Sequence, residues 1–516
     1  MHQRAREQGR VVLPRPAGVP ARDRHRDRAR RGDRADAPRG PADGRHPAPR
    51  DLARDREPMK VLLLNPPGGR TYIRDYFCSK TTKSNYLFHP VDLVTLSGTL
   101  ASEHDVEVID CMAERLDTAA ARARIERFAP AVIVSLVGSV SWNEDRVFLA
   151  AEHARGRRVI AIGDVLHERA EQRMAEEPWI EAVLHVFANR DVLHYLAGER
   201  DSIEDMSVRD AHGAPLRQKG RRGEKIFRVP RPRHELFPQR GYHFSFARSA
   251  PFATVLTDYG CPYPCTFCVI GTLGFRYRPV EDVLEEIDHL RARGVRELFF
   301  MDQTFGIVGP RALELCAALA KRGDVSWTAY TRPDLADDDL LGAMKAAGCH
   351  TLIMGVESAD DALLEAYRKG YKAWIVKDAF RRARRHGIRT VGTFIIGLPE
   401  ESESSLQRTL DMAVELDMDF MSLNMAVPRF GTPFRERALE LGLAERDDLV
   451  MDQGGADAFL PTSTLDRTKM LALKKRMVRR FYLRPGYLWR RVTGTRSWYE
   501  LTAQVREGFA LLRRNV

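Results

Sequence analysis

Short apolar runs separated by helix-spaced text recur along most of this chain. The first, Val61-Leu62-Leu63-Leu64, is closed by Asn65-Pro66-Pro67. An uninterrupted aliphatic run with a proline stop is the pattern of a strand buried on both faces of a parallel sheet. Similar runs at 106–109, 131–137 and 159–162 alternate with helical spacing at 92–101 and 118–128. That alternation predicts an α/β fold beginning with a Rossmann-like open parallel sheet over 59–195, its ligand site at the carboxyl ends of the strands. Residues 196–245 are polar, carry Gly220-Arg221-Arg222-Gly223 and Pro230-Arg231-Pro232, and are expected to be a linker. A second series of runs at 252–257, 297–301, 326–330, 351–355, 390–396 and 420–426 gives six strand–helix units. Six units without a seventh and eighth predict a partial (β/α)6 barrel over 246–440, with chemistry at the C-terminal strand ends. Residues 441–516 read as a helical C-terminal region, 469–480 being basic and amphipathic.

Composition narrows the class. The longest apolar stretch, 131–140, is broken by Ser135, Gly138 and Ser139 and falls short of the roughly 18 residues of a membrane span. No integral span is expected. The first thirty residues lack an apolar signal core, and seven cysteines in 516 residues do not suggest a disulfide framework. A reducing, cytoplasmic compartment follows as the expectation. The net charge of +11 is concentrated at one end: residues 1–58 hold 16 Arg, no Lys and nine acids, an excess of seven. The remainder is nearly balanced, which argues against nucleic acid as a partner. Residues 1–58 also lack aromatics, Ile, Ser and Thr, so they are expected to be disordered. They read as an upstream extension translated ahead of a true start at Met59.

The candidate chemistry lies just after the first strand of the second series, in Tyr259-Gly260-Cys261-Pro262-Tyr263-Pro264-Cys265-Thr266-Phe267-Cys268. Gly260 and two prolines keep this segment from becoming a helix, so three thiols can converge on one centre. Three thiolates can hold three irons of a [4Fe–4S] cluster and leave the fourth open. A zinc knuckle and three unrelated buried thiols are the alternatives; zinc sites close with a fourth nearby Cys or His, and none is evident locally.

Cys261-x-x-x-Cys265-x-Phe267-Cys268 resembles the signature of the radical S-adenosylmethionine (SAM) enzymes, including the aromatic before the last cysteine. The resemblance implies Cys261, Cys265 and Cys268 as cluster ligands and SAM chelated by the open iron. One-electron reduction of SAM then gives a 5′-deoxyadenosyl radical, the electron coming from an external donor such as flavodoxin or ferredoxin. It also implies SAM contacts at Phe267, at Asp302 ending the second barrel strand, and at Arg332 ending the third, near the SAM carboxylate. Glu357 and Ser358 would lie near the ribose and Gly397 beside the adenine.

An α/β domain placed before the cluster loop is similar to the branch of this family with an N-terminal cobalamin-binding domain. That branch includes proteins similar to the anaerobic magnesium-protoporphyrin ester cyclase and radical SAM methyltransferases. The likeness covers most of residues 59–490 and implies cobalamin held by Asn65, Gly138, Ser139, Ser141 and Gly163 at the strand ends. Three departures stand out, one being that the later Gly-Glu-Gly-Glu type of segment reads Val186-Phe187-Ala188-Asn189-Arg190-Asp191. No Asp-x-His-x-x-Gly offers cobalt a lower ligand, and the expected Gly-Gly-x-His is replaced by Ile162-Gly163-Asp164-Val165-Leu166-His167. The implied activity is methyl transfer to an unactivated carbon of a small-molecule substrate. Radical cyclisation without methyl transfer and a non-catalytic iron–sulfur or cobalamin sensor are the alternatives. Cys316 and Cys349 read as buried structural thiols, Met412, Met418, Met421 and Met425 as core, and Cys78, in polar basic surroundings, as a substrate-site candidate.

Overall fold

The protein is described by a computed structural model covering residues 57–516 apart from 84–85, 221–224, 448, 450–451, 455–459, 496–497 and 516. The expected extension before Met59 lies, up to Arg56, outside the described residues.

The first apolar run becomes β1 (Lys60–Asn65), followed by a small antiparallel hairpin of β2 (Tyr72–Ile73) and β3 (Lys80–Thr81). Next come β4 (Asp105–Asp110), β5 (Val132–Leu136), β6 (Arg158–Ile162) and β7 (Ala182–Leu184). They form a parallel sheet in the order β4-β1-β5-β6-β7. Val61 through Leu64 are fully buried because helices cover both faces. The segment expected to be a linker carries two further strands, β8 (Asp205–Arg209) and β9 (Pro215–Lys219), added antiparallel to the edge of this sheet. Their residues are mixed in polarity, β8 buried at Met206–Val208 and β9 largely exposed, and they lack the apolar run that marks the central strands.

The second series opens with β10 (Phe252–Val255). An antiparallel hairpin, β11 (Asp258–Gly260) and β12 (Phe275–Tyr277), then brackets the cysteines. The remaining strands are β13 (Glu297–Phe300), β14 (Ser326–Thr331), β15 (Cys349–Glu357), β16 (Arg389–Ile396) and β17 (Phe420–Met425). All six barrel strands are parallel, in chain order β10-β13-β14-β15-β16-β17, with β10 and β17 as edges. This is the expected open (β/α)6 barrel. Its inner aromatic side chains are met by the preceding segment: Phe244 stacks on Phe299 at 4.2 Å and Phe246 packs on Phe420 at 4.9 Å. The tail is helical. Arg467–Tyr482 buries Met470, Met477, Val478 and Phe481 against the barrel, with Pro485–Thr493 and Trp498–Asn515 following.

Candidate functional site

The cysteine loop is shaped by its own hairpin. Gly260 has φ +74°, and a side chain there would meet the Gly274 carbonyl oxygen at 1.9 Å, so only glycine turns the chain here. The Cys261 amide then donates to Gly274 O, the Cys268 amide to Cys265 O and the Thr266 amide to Tyr367 O. These bonds fix the loop at the barrel's C-terminal mouth. Cys265 is buried while Cys261 and Cys268 are half-buried. Burial pushes the Cys261 thiol up and the Cys268 thiol up to about 12, and neighbouring cysteines add to both. A cationic body would reverse that by binding the thiolates. Among the described residues no three His, Cys, Asp or Glu side chains are gathered around a single ion. Thiols wrapped around a cube stand further apart than ligands of one ion. Arg332 Nη1 lies 3.9 Å from Cys265 Sγ, and Lys369 also acts on Cys265 and Cys268. Three soft donors with two cations offsetting thiolate charge suit an iron–sulfur cluster.

The residues expected to contact SAM divide into two groups. Phe267 and Glu357 line the cavity described below, joined by Lys369, whose ammonium bonds Glu357 at 2.8 Å and lies 5.6 Å from the Phe267 ring. Arg332 is buried beside the cluster loop. It bonds both oxygens of Asp334, donates to Lys369 O and stacks over Tyr263 at 3.6 Å. The other three face elsewhere. Asp302, fully buried, accepts from the amides of Thr257 and Asp258 and from the Thr257 hydroxyl at 2.6–2.8 Å. It therefore clamps the turn leading to Cys261. Ser358 faces Thr409 and the Asp360 amide. Gly397, at φ +91°, has Met470 Sδ 2.7 Å from where a side chain would begin.

Lys369 and Tyr263, which pack beside the cysteine loop, were not legible as neighbours of the site. Arg368-Lys369-Gly370-Tyr371 is a helix-ending turn with Gly370 at φ +81°, a signal that marks a turn but no ligand. Glu401, fully buried, accepts from the amides of Gly397 and Leu398, and burial holds its carboxyl up at about 8.

At the strand ends of the N-terminal sheet, four of the five residues expected to hold cobalamin are engaged by the chain's own segment 74–79, and the fifth, Gly163, lies against Val137. Arg74, with no exposed side-chain surface, pairs with Asp145 at 2.7 Å and also donates to Asn65 Oδ1, Pro66 O and Ser141 Oγ. Asn65 in turn donates to Asp110 and Ser141 to Asp145. Ser79 lies against Gly138, and the position of a Gly163 side chain is closed off by the Val137 carbonyl. Asp164 accepts from the amides and hydroxyls of both Ser79 and Ser139. Of the five, only Ser139 reaches the cavity wall.

That cavity, about 1650 Å³, extends from Phe267 and Cys268 through the barrel mouth to Ser139, Val140, Trp142 and Asn143 of the N-terminal domain. Residues 70–83 and the C-terminal helices close its sides. A single small-ligand site occupies roughly 300–1,000 Å³, so there is room for more than one molecule. Cys78 is among the residues that line it. Cys316 and Cys349 are buried in the barrel's packing.

An open six-stranded parallel barrel with a three-cysteine loop at its mouth defines a radical SAM domain, and residues 255–413 match the model of the Radical SAM superfamily. The chain is therefore an enzyme whose chemistry uses a [4Fe–4S] cluster and SAM, which removes the sensor alternative. It is similar to an uncharacterised methyltransferase of Pyrococcus horikoshii, 29% identical over 451 residues, covering 83% of this chain and 94% of that protein. Two solved structures share the fold. One is the cobalamin-dependent SAM radical enzyme OxsB with aqua-cobalamin and SAM bound (TM-score 0.64, 17% identity, 89% of this chain and 71% of OxsB). The other is the radical SAM methyltransferase TsrM of Kitasatospora setae with cobalamin and a [4Fe–4S] cluster bound (TM-score 0.59, 19% identity, 75% and 78%). Among the described residues no helix is long and apolar enough to cross a membrane.

Proposed function

We propose that this enzyme is a cobalamin-dependent radical SAM methyltransferase acting on an unactivated carbon of a small-molecule substrate. The carrying observation is the continuous cavity joining the cysteine loop to the strand ends of the N-terminal sheet. When bound, the cluster and SAM supply reductive opening of a sulfonium, and cobalamin supplies a methyl carrier. Cys261, Cys265 and Cys268 would hold the cluster, while Arg332 and Lys369 balance its charge. Phe267 and Glu357 would face SAM. Cobalamin would be held by the cavity-facing Ser139, Val140, Trp142 and Asn143, since Asn65 and Ser141 are saturated within the chain. Phe88, Phe244, Met301 and Ile353 line the same space and would keep water from the reacting carbon. The likeness to a methyltransferase across 94% of that relative supports this reading. An external one-electron donor of flavodoxin or ferredoxin type and a cytoplasmic setting belong to the same proposal.

Reconstituted protein, incubated anaerobically with methyl-labelled SAM, hydroxocobalamin and dithionite, tests both parts. 5′-Deoxyadenosine is expected, together with label in the corrinoid fraction. Absence of the nucleoside would overturn the radical SAM assignment for this chain. Nucleoside without labelled corrinoid would overturn the cobalamin part alone.

A further inference from the structure

The cavity is lined by seven Lys and Arg side chains against four Asp and Glu, and the partners of these charges sort them sharply. Lys83 reaches across to β17, donating to Ser422 Oγ, Leu423 O and Asn424 Oδ1. Arg491 lies over Phe420 and pairs with Asp419. On the acidic side, Asp75 accepts from the amides of Phe77 and Cys78, Glu357 from Lys369, and Asp452 from the Thr81 amide and hydroxyl. These groups are already satisfied.

Arg70 and Lys475 are exposed and make no such bond among the described residues, and two cations set deeper in the wall are not fully paired either. Lys80 faces the cavity, and among the described residues its ammonium makes no hydrogen bond or ion pair. Arg429 is 7% exposed; its Nη1 lies 3.5 Å from Asp164, and its Nη2 is buried without a partner. Both act electrostatically on the same Cys78 thiol, so they share one patch of wall. Burial nevertheless pushes that thiol up, leaving it neutral and accepting from Gln453 Nε2 at 3.4 Å. Burial works against the Lys80 ammonium as well, and the neighbouring Asp75 carboxylate works to keep it charged. Burial pushes the nearby Tyr330 phenol up to about 12, so it stays a neutral donor. A buried donor left unpaired carries a desolvation penalty that an anion would remove. Around this patch the cavity is apolar and aromatic, with Tyr86, Phe88, Phe244, Phe246 and Phe420 on its walls.

We propose that Lys80, with the Arg429 guanidinium and the Tyr330 hydroxyl beside it, forms an anion subsite, and that the substrate is an apolar acid whose carboxylate it receives. This rests on the cavity being the substrate site of the proposed enzyme. An ammonium meeting a carboxylate gives a charge-assisted bond where water is scarce, and a guanidinium nearby adds to its field. The apolar body would then lie along the aromatic walls of the space that Cys268 of the cluster loop also lines.

The test uses protein loaded with cluster, SAM and hydroxocobalamin, and a probe pair differing only in the anion: 1-pyrenebutyrate and 1-pyrenebutanol, titrated by fluorescence. The wild-type protein should bind the acid about tenfold more tightly than the alcohol, the difference expected of one charge-assisted contact. Lys80→Met should abolish that preference by weakening the acid alone, and Lys80→Arg should restore it. Equal binding of acid and alcohol by the wild type would overturn the proposal, and so would a preference that survives Lys80→Met. Should Lys80→Met fail to fold, displacement of pyrenebutyrate from the wild type by decanoate and not by decanol supports the subsite, and equal displacement by both overturns it. 5′-Deoxyadenosine measured on the same wild-type sample reports on the radical chemistry separately, so loss of one result leaves the other readable.

Discussion

Replacing Asp302 by alanine separates two roles for this carboxylate, a contact to SAM and a clamp on the chain leading into the cysteine loop. In the folded protein it accepts from the Thr257 and Asp258 amides and from the Thr257 hydroxyl, and it has no exposed surface. Removing it strands two buried backbone donors at about 1–3 kcal/mol each, roughly 2–6 kcal/mol together. Repulsion between Asp302 and the buried Asp258 is relieved at the same time, because Asp258 keeps its 2.8 Å pair with Arg311. The expected loss therefore lies in the lower half, about 2–4 kcal/mol. For about 460 residues the unfolding entropy is near 1 kcal/mol per kelvin, so the melting temperature should fall by about 2–4 °C. Iron and sulfide per chain should fall too, since Cys261 follows the clamped turn by three residues. SAM affinity, measured on the cluster-loaded fraction, should stay within about threefold, a change worth less than 1 kcal/mol. A variant with wild-type melting and iron content but SAM binding weakened tenfold or more would refute the clamp and place Asp302 against SAM.

Three further outcomes are expected. Glu401 is held at about 8 in the folded protein against an ordinary value of 4.5, so the native state keeps a proton that the unfolded chain releases. The stability it contributes is fully present below about 4.5 and is lost as pH rises through about 8. The melting temperature of Glu401→Gln should accordingly fall less than that of the wild type between those limits, and parallel profiles would contradict this. Arg74→Met leaves Asp145 buried without its cation, which costs about 3–5 kcal/mol. Thermal melting should show Arg74→Met/Asp145→Leu recovering most of that loss, and a double variant no more stable than the single would argue against the pair. Cys268→Ala should abolish both cluster absorbance and 5′-deoxyadenosine formation; full iron content in that variant would move the third ligand elsewhere.

The parts of the fold that were legible are those where the local text is self-sufficient. Val61 through Leu64 can only be a buried strand, and Gly260 with two prolines opens the cysteine loop whatever surrounds it. The added strands β8 and β9 escaped because Asp205–Arg209 and Pro215–Lys219 are stabilised by pairing onto a sheet formed earlier in the chain. Asp302 and Arg332 were placed correctly at strand ends, yet only the folded chain shows that one grips backbone amides and the other stacks on Tyr263. The segment bearing Arg74 and Ser79 offers no local signal, because its partners Ser141, Asp145 and Asp164 lie 67 to 85 positions away. Contacts that distant leave no period in the sequence.

The reach of Lys83 from the N-terminal hairpin to the last barrel strand makes the cavity a joint construction. A barrel expressed without its leading domain would lose one wall and this strut between the two halves, however well it kept its cluster. Exchanging leading domains between related enzymes would then alter which molecules are admitted, and the barrel's own chemistry would be left as it was.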